Sequence, residues 1–222
     1  KDLFIPDTSP DCIVPPQDSF SEVLVREEFG ELLVEGVGLS RVDKLIDGLH
    51  QVRVVDGLTK YFDRKIIGVS GMNSGIAWLG FNRGHEYVWQ VARDPELKVV
   101  IDKMIEEFGV GISEITGFSM DEMISYLAKS FERAANVNIN DPVDRFFRNL
   151  RSKLGLRERF VRPALAVLET GRFPEALARV ITIGFSKLMK EEGLSDVGRM
   201  VREVSGLPDS ARELERRIVE NL

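Results

Sequence analysis

From Asp94 to Leu222 the chain carries the punctuation of one helix after another, and this run constrains the fold more than any other feature of it. Asp94-Pro95 reads as an N-cap followed by proline at the first helical position, where the missing N–H costs no hydrogen bond and the fixed φ suits the helix. Pro142 and Pro174 stand at helix starts in the same way. Apolar residues at helical spacing then predict helices over about 95–108, 112–116, 120–135, 142–154, 157–170, 174–192, 195–204 and 209–221.

The part before Asp94 is written differently. Residues 1–18 hold Pro6, Pro10, Pro15 and Pro16 without helical periodicity, which predicts an extended arm. Asp18 or Ser19 caps an expected helix reaching about Val34, ended by Gly36 and Gly38, and Ser40 caps a second through Leu49. From Val52 the stretches "QVRVVDG", "KYFDRKIIGVSG", "GIAWLGFN" and "EYVWQVA" are β-branched and aromatic, with glycine-containing turns between them. That is the pattern of three or four antiparallel strands. The expected fold class is α+β: N-terminal helices plus a small antiparallel β-meander, followed by an all-helical C-terminal part with helix-turn-helix-like elements. The expected domains are a mixed α+β domain with an extended N-terminal arm over residues 1–93 and an all-helical domain over 94–222.

Three stretches share a glycine turn: "ELLVEGVGLSRVDKLIDGL" at 31–49, "VGISEITGFSMDEMISYL" at 110–127 and "VGRMVREVSGLPDSARELERRI" at 197–218. Each resembles the generic helix-turn-helix, in which glycine makes the turn and the next residue caps the second helix. Any helix ended by glycine and restarted by serine looks the same. Only the third offers a basic second helix, through Arg212, Arg216 and Arg217, and there Glu213, Glu215 and Glu220 are interleaved with the arginines.

Charge singles out one further stretch. The formal net charge is −6 over 222 residues, yet between 141 and 163 seven basic residues stand against three acidic ones. These are Arg145, Arg148, Arg151, Lys153, Arg157, Arg159 and Arg162, threaded between Phe146, Phe147, Leu150 and Leu154, whose spacing marks a core stripe. Arginine forks suit phosphate, and a local basic patch can hold a polyanion on an acidic chain because distant charges are screened. Salt bridges to Glu106, Glu107 and Glu114 are the competing use of these arginines.

Enzymatic signatures are sparse. There is no G-x-x-x-x-G-K-[ST], no G-x-G-x-x-G before a helix, no H-E-x-x-H and no G-x-S-x-G. His85, beside Glu86 and near Arg83, is the one candidate base. Cys12 with His50 and His85 cannot build a zinc site, so neither metal nor cofactor is expected. A single cysteine fits a reducing, cytoplasmic setting, no apolar run reaches membrane length, and three glutamines against many charged residues is a thermophile-like bias. "GRFPEAL" at 171–177 loosely resembles part of one tetratricopeptide unit, but no second copy follows.

The function expected from these residues is non-enzymatic binding of nucleic acid, DNA above all, in a replication, recombination or regulatory complex. Arg145, Arg148, Arg151, Lys153, Arg157, Arg159, Arg162, Arg212 and Arg216 would carry the contacts. The alternatives are a helical scaffold whose basic block pairs with an acidic protein partner, and a small enzyme with a site near His85.

Overall fold

Three short strands form one sheet in chain order in the computed structural model, which describes residues 6–16, 26–36, 49–81, 83–193 and 195–222. β1 (Thr8–Asp11) pairs antiparallel with β2 (Glu31–Glu35), Thr8 opposite Val34 and Asp11 opposite Glu31. β2 pairs parallel with β3 (Val52–Val55), Leu32 opposite Val52 and Glu35 opposite Val55. The β-branched residues of "VRVV" suit a half-buried pleat, and Leu33, Val55 and Leu58 bury together with Tyr61 packed on them.

The sheet replaces two sequence expectations. The helix drawn to Val34 ends instead in a strand, and its proposed caps, Asp18 and Ser19, lie outside the described residues, as does most of the helix drawn from Ser40. No antiparallel meander forms among the described residues of this stretch. Only its first segment is a strand; the rest is helical: α1 (Leu58–Lys65), a π-helical turn at Ile66–Gly71, α2 (Met72–Phe81) and the short α3 (Val88–Ala92). The reason is burial on every side. All residues of α2 up to Gly80 are buried, and a helix with no solvated face has no 3.6-residue period to read. Its glycines mark close packing: a Cβ on Gly80 would stand 2.2 Å from Val91 Cγ2.

Beyond Asp94 the helical run holds. α4 (Lys98–Thr116) ends at Gly117 with φ 76°, and α5 (Met120–Ala134) begins with Ser119 and Glu122 bonding each other's backbone N–H, a capping box. A 3-10 turn at Val143–Phe147 leads into α6 (Leu150–Lys153) and α7 (Val161–Glu169); α8 (Glu175–Glu192), α9 (Val197–Ser205) and α10 (Arg212–Glu220) complete the chain. One apolar core runs from Ile67 to Ile218 and draws on both sides of Asp94. At its centre Trp78 packs on Phe147 and Phe160, with ring centres 5.8 and 4.5 Å away. No described helix is long and apolar enough to cross a membrane.

Candidate active site

A π-helical turn adds a residue to the hydrogen-bonded loop, is rare, and recurs where a helix must aim side chains at a ligand. Here the turn at Ile66–Gly71 interrupts one helical run between Lys65, the last residue of α1, and Asn73 in the first turn of α2. Eight residues of regular α-helix would leave those two side chains about 80° apart; the wider turn closes that angle and turns them toward one side. The turn is held by contact: Gly71 lies against the segment before α7, where a Cβ would stand 3.1 Å from the Arg159 carbonyl oxygen.

Among the described residues two buried side-chain polar atoms lack a hydrogen-bond partner, Arg64 Nε and Asn73 Oδ1, and both border this turn. Leaving such an atom unpaired costs about 1–3 kcal/mol, so their clustering marks a place arranged for something other than stability. Asn73 is 7% exposed. Arg64 lies over the rings of Tyr126, Tyr61 and Phe118, at 4.2, 5.0 and 5.1 Å from their centres. Burial first, and then Asp11, pushes the Tyr126 phenol well above its ordinary range.

The arm that carries β1 crosses this side of the molecule. Lys65 Nζ donates to the Pro10 carbonyl. Arg133 of α5 holds Asp11 at 2.9 and 3.2 Å and Glu27 at 2.6 and 2.9 Å. Arg145 Nη1 donates to the Val14 carbonyl at 3.3 Å and to Asp141 at 2.8 Å. The arm thus ties Lys65, Arg133 and Arg145 together.

The basic block divides in two. Arg151 makes a two-pronged pair with Glu192 at 2.6 and 2.5 Å, and Arg162 another with Asp63 at 2.7 and 2.9 Å, which fastens α7 to α1. These two are structural. Lys153, Arg145, Arg148 and Arg159 form the other part. Lys153 Nζ donates to the Phe146 carbonyl at 2.5 Å, and Trp78 Nε1 donates to the same oxygen at 3.1 Å. Burial first, then the charges of Arg159, Arg145 and Arg148, bring the Lys153 amine down to about 8, with Glu158 opposing. Arg159 meets Glu158 only at 3.3 Å, and Arg148 and Arg157, both exposed, have no ion pair among the described residues.

The C-terminal arginines do not make a reading surface for DNA. Arg212 pairs with Asp209, Arg216 with Glu213 and Glu220, Arg217 with Glu213, and Arg202 with Glu215. The basic face of the supposed recognition helix is neutralised by its own carboxylates. His85 Nε2 lies 2.9 Å from Asp94 Oδ2, which Arg83 also pairs, in a cluster that braces the loop ahead of α3. Among the described residues no group of acidic, histidine and cysteine side chains could hold a metal ion.

This architecture is that of a helical domain of a dehydrogenase. The family model of the mannitol dehydrogenase C-terminal domain matches residues 57–196, and the chain belongs to that family. The match opens one residue before α1 and takes in the π-helical turn, Asn73 and the whole basic block. The mannitol-1-phosphate 5-dehydrogenase of Halalkalibacterium halodurans is 30% identical over 210 residues, 94% of this chain and 55% of that protein. That of Thermoanaerobacter pseudethanolicus is 29% identical over 190 residues, 84% of this chain and 48% of that one. The chain spans about half the length of the curated relatives it matches. Pseudomonas fluorescens mannitol 2-dehydrogenase, solved as a ternary complex with NAD and D-mannitol, shares the fold with a TM-score of 0.73 at 18% identity, over 97% of this chain and 50% of that one.

These findings overturn the reading as a non-enzymatic nucleic-acid binder with helix-turn-helix elements, and nucleic acid as its partner. They also replace the N-terminal helices and meander with the helical domain described above. A compact basic block looks alike in sequence whether it faces a polyanion, a small anion or its own carboxylates. Lys65 and Asn73 escaped sequence reading because "KIIGVSGMNSG" passes for a strand and a glycine turn.

At the β3-to-α1 connection the N–H groups of Gly57 and Leu58 are taken by the Glu35 carboxylate at 3.2 and 2.6 Å.

Proposed function

We propose that this chain is the substrate-holding part of a NAD-dependent oxidoreductase acting on a sugar alcohol. Oxidation of a secondary alcohol takes a hydride from carbon and a proton from oxygen. The part that falls to these residues is the grip on the hydroxyls and the proton; the dinucleotide would be held outside the described residues. Asn73 Oδ1 is an acceptor aimed without a partner from a buried helix turn, and a substrate hydroxyl would satisfy it. Lys65, on the same side of the widened turn and oriented by the Pro10 carbonyl, is placed to take the hydroxyl proton. Arg145 and Lys153 offer donors to hydroxyls farther along the chain of the substrate. The observation that carries this reading is the unpartnered amide oxygen of Asn73 across the π-helical turn from Lys65. A cytoplasmic setting, expected from the lone Cys12, belongs to the same proposal.

Binding of D-mannitol and its 1-phosphate, followed by saturation-transfer NMR, tests it. Asn73→Ala and Lys65→Met should keep the far-UV circular dichroism of the parent and lose binding by about tenfold or more, the worth of one or two buried hydrogen bonds. Undiminished binding in both variants overturns the assignment.

A further inference from the structure

We infer that the cleft between α4, α8 and α10 is a separate ligand site, and that it takes a carboxylate with an apolar body, in its simplest form a medium-chain fatty acid. The site is independent of the polyol reading: none of Lys65, Asn73, Arg145 and Lys153 lines this cleft.

The cleft has a charged end and an apolar end. Glu107 of α4 bonds the N–H groups of Ala176 and Leu177 in α8. Residues before Glu107 on α4 line the cleft together with residues after Leu177 on α8, so the two helices run antiparallel here. Lys103 and Arg179, each about one turn from the Glu107 bond, come to the same end. Val99 and Val100 of α4 lie toward Ile183 of α8 at the other. Arg217 of α10 closes the charged end, its guanidinium 5.5 Å from the centre of the Phe173 ring. The space enclosed is about 620 Å³, the size of a small-molecule pocket.

The cations at this end are unspent. Glu175 stands four residues before Arg179, the order that favours a helical ion pair, yet Arg179 makes no ion pair among the described residues. Lys103 is followed by Glu106 and Glu107, but Glu106 pairs with Arg172 and Glu107 gives both oxygens to α8. Of the remaining lining charges, Glu96 pairs with Arg83 and Arg217 with Glu213. Lys103 and Arg179 against Glu175 leave a surplus of one positive charge, which a single carboxylate cancels. A guanidinium fork and an ammonium are the donors its oxygens need.

The other end asks for a hydrocarbon. Val99 is 80% exposed, more than any other large apolar side chain among the described residues. The Thr182 hydroxyl beside Ile183 donates to the Ala178 carbonyl, so it offers the cleft no free donor. An acyl chain laid along Val99, Val100 and Ile183 removes their surface from water, whereas a bare anion leaves it wet and a neutral alcohol leaves both cations unmatched.

The probes are octanoate, 1-octanol and acetate, titrated into the whole chain and followed by saturation-transfer NMR and thermal unfolding. The variants are Arg179→Gln, Lys103→Gln and Val99→Asp, all at exposed positions. Octanoate should bind the parent at least about tenfold more tightly than octanol or acetate and raise its melting midpoint. Each variant should weaken octanoate about tenfold, the worth of one charge-assisted hydrogen bond or of the apolar wall, and leave the response to D-mannitol as in the parent. Octanoate binding no tighter than octanol, or equally tight in Arg179→Gln and Lys103→Gln, overturns the site. So does a parent that sediments as a dimer and is dissociated by Val99→Asp, since the cleft is then an interface between copies. Octanoate binding in a chain that ignores D-mannitol leaves this site standing and removes the polyol reading alone.

Discussion

Glu107 of α4 reaches across the core to accept the backbone N–H groups of Ala176 and Leu177, at 3.1 and 2.8 Å, in the first turn of α8. Pro174, at the cap position of α8, has no side chain able to do this, so the cap is supplied from another helix. Truncation by Glu107→Ala leaves two buried donors unpaired and is expected to cost about 2–3 kcal/mol in urea unfolding. Burial raises the Glu107 carboxyl above its ordinary 4.5, against the pull of the two N–H bonds. A folded value above the unfolded one contributes stability that is full below pH 4.5 and lost as pH rises through the folded value. The parent should therefore lose melting temperature relative to Glu107→Gln between pH 4 and pH 7; a constant difference would count against this account.

Arg133 stands between two buried carboxylates, Asp11 and Glu27, and stacks on Phe29 with its guanidinium 4.3 Å from the ring centre. Burial lowers its affinity for the proton, and the bonds to Glu27 and Asp11 more than restore it. Removing the shared cation strands both acids. Arg133→Leu is expected to lose about 3–5 kcal/mol, and the triple change with Asp11→Asn and Glu27→Gln to recover a good part of it. Equal losses in the single and triple variants, measured by denaturant unfolding, would show that packing and not charge holds the arm.

Lys153 works in the opposite sense. Its amine sits near 8 in the folded chain against an ordinary 10.5. A depressed folded value contributes stability above the unfolded pKa and loses it as pH falls through the folded one, so at neutral pH the charged amine weakens the fold. Lys153→Met should raise the melting midpoint at pH 7, and the gain should shrink toward pH 10.5. Stabilisation with loss of ligand is the mark of a group kept for function.

Arg216, 52% exposed and paired on both sides, offers a contrast. Such surface pairs contribute little. Arg216→Gln should leave the melting midpoint within about 2 °C of the parent, and neither protein should retard duplex DNA in a salt-dependent gel shift.

What could be read in the sequence follows from how side chains meet water. Ser119 and Glu122, and the Asp94-Pro95 step, announce themselves because caps act locally and face outward. The helix at 72–81 does not, because Trp78, Leu79 and Ile76 are all buried and no polar stripe gives the period. β1 pairs residues that lie some 25 positions apart in the chain, and its register owes as much to Arg133 holding Asp11 as to strand propensity. The basic block was visible as charge. Its division into Arg151 and Arg162, spent on Glu192 and Asp63, and Lys153, left uncompensated, depends on tertiary neighbours that no local window contains.

The π-helical turn also absorbs one residue more than a regular helix would hold. Delete one residue between Ile66 and Gly71 and the backbone could heal as ordinary α-helix, with Lys65 and Asn73 then about 20° apart and the side chains from Met72 to Phe81 facing much as before. Tightening the turn to α-helix at full length is the change that rotates them, by about 100°, and carries Trp78 away from Phe147 and Phe160. In this stretch the loss of one codon is absorbed, whereas a substitution that closes the wide turn rotates a whole wall of the molecule.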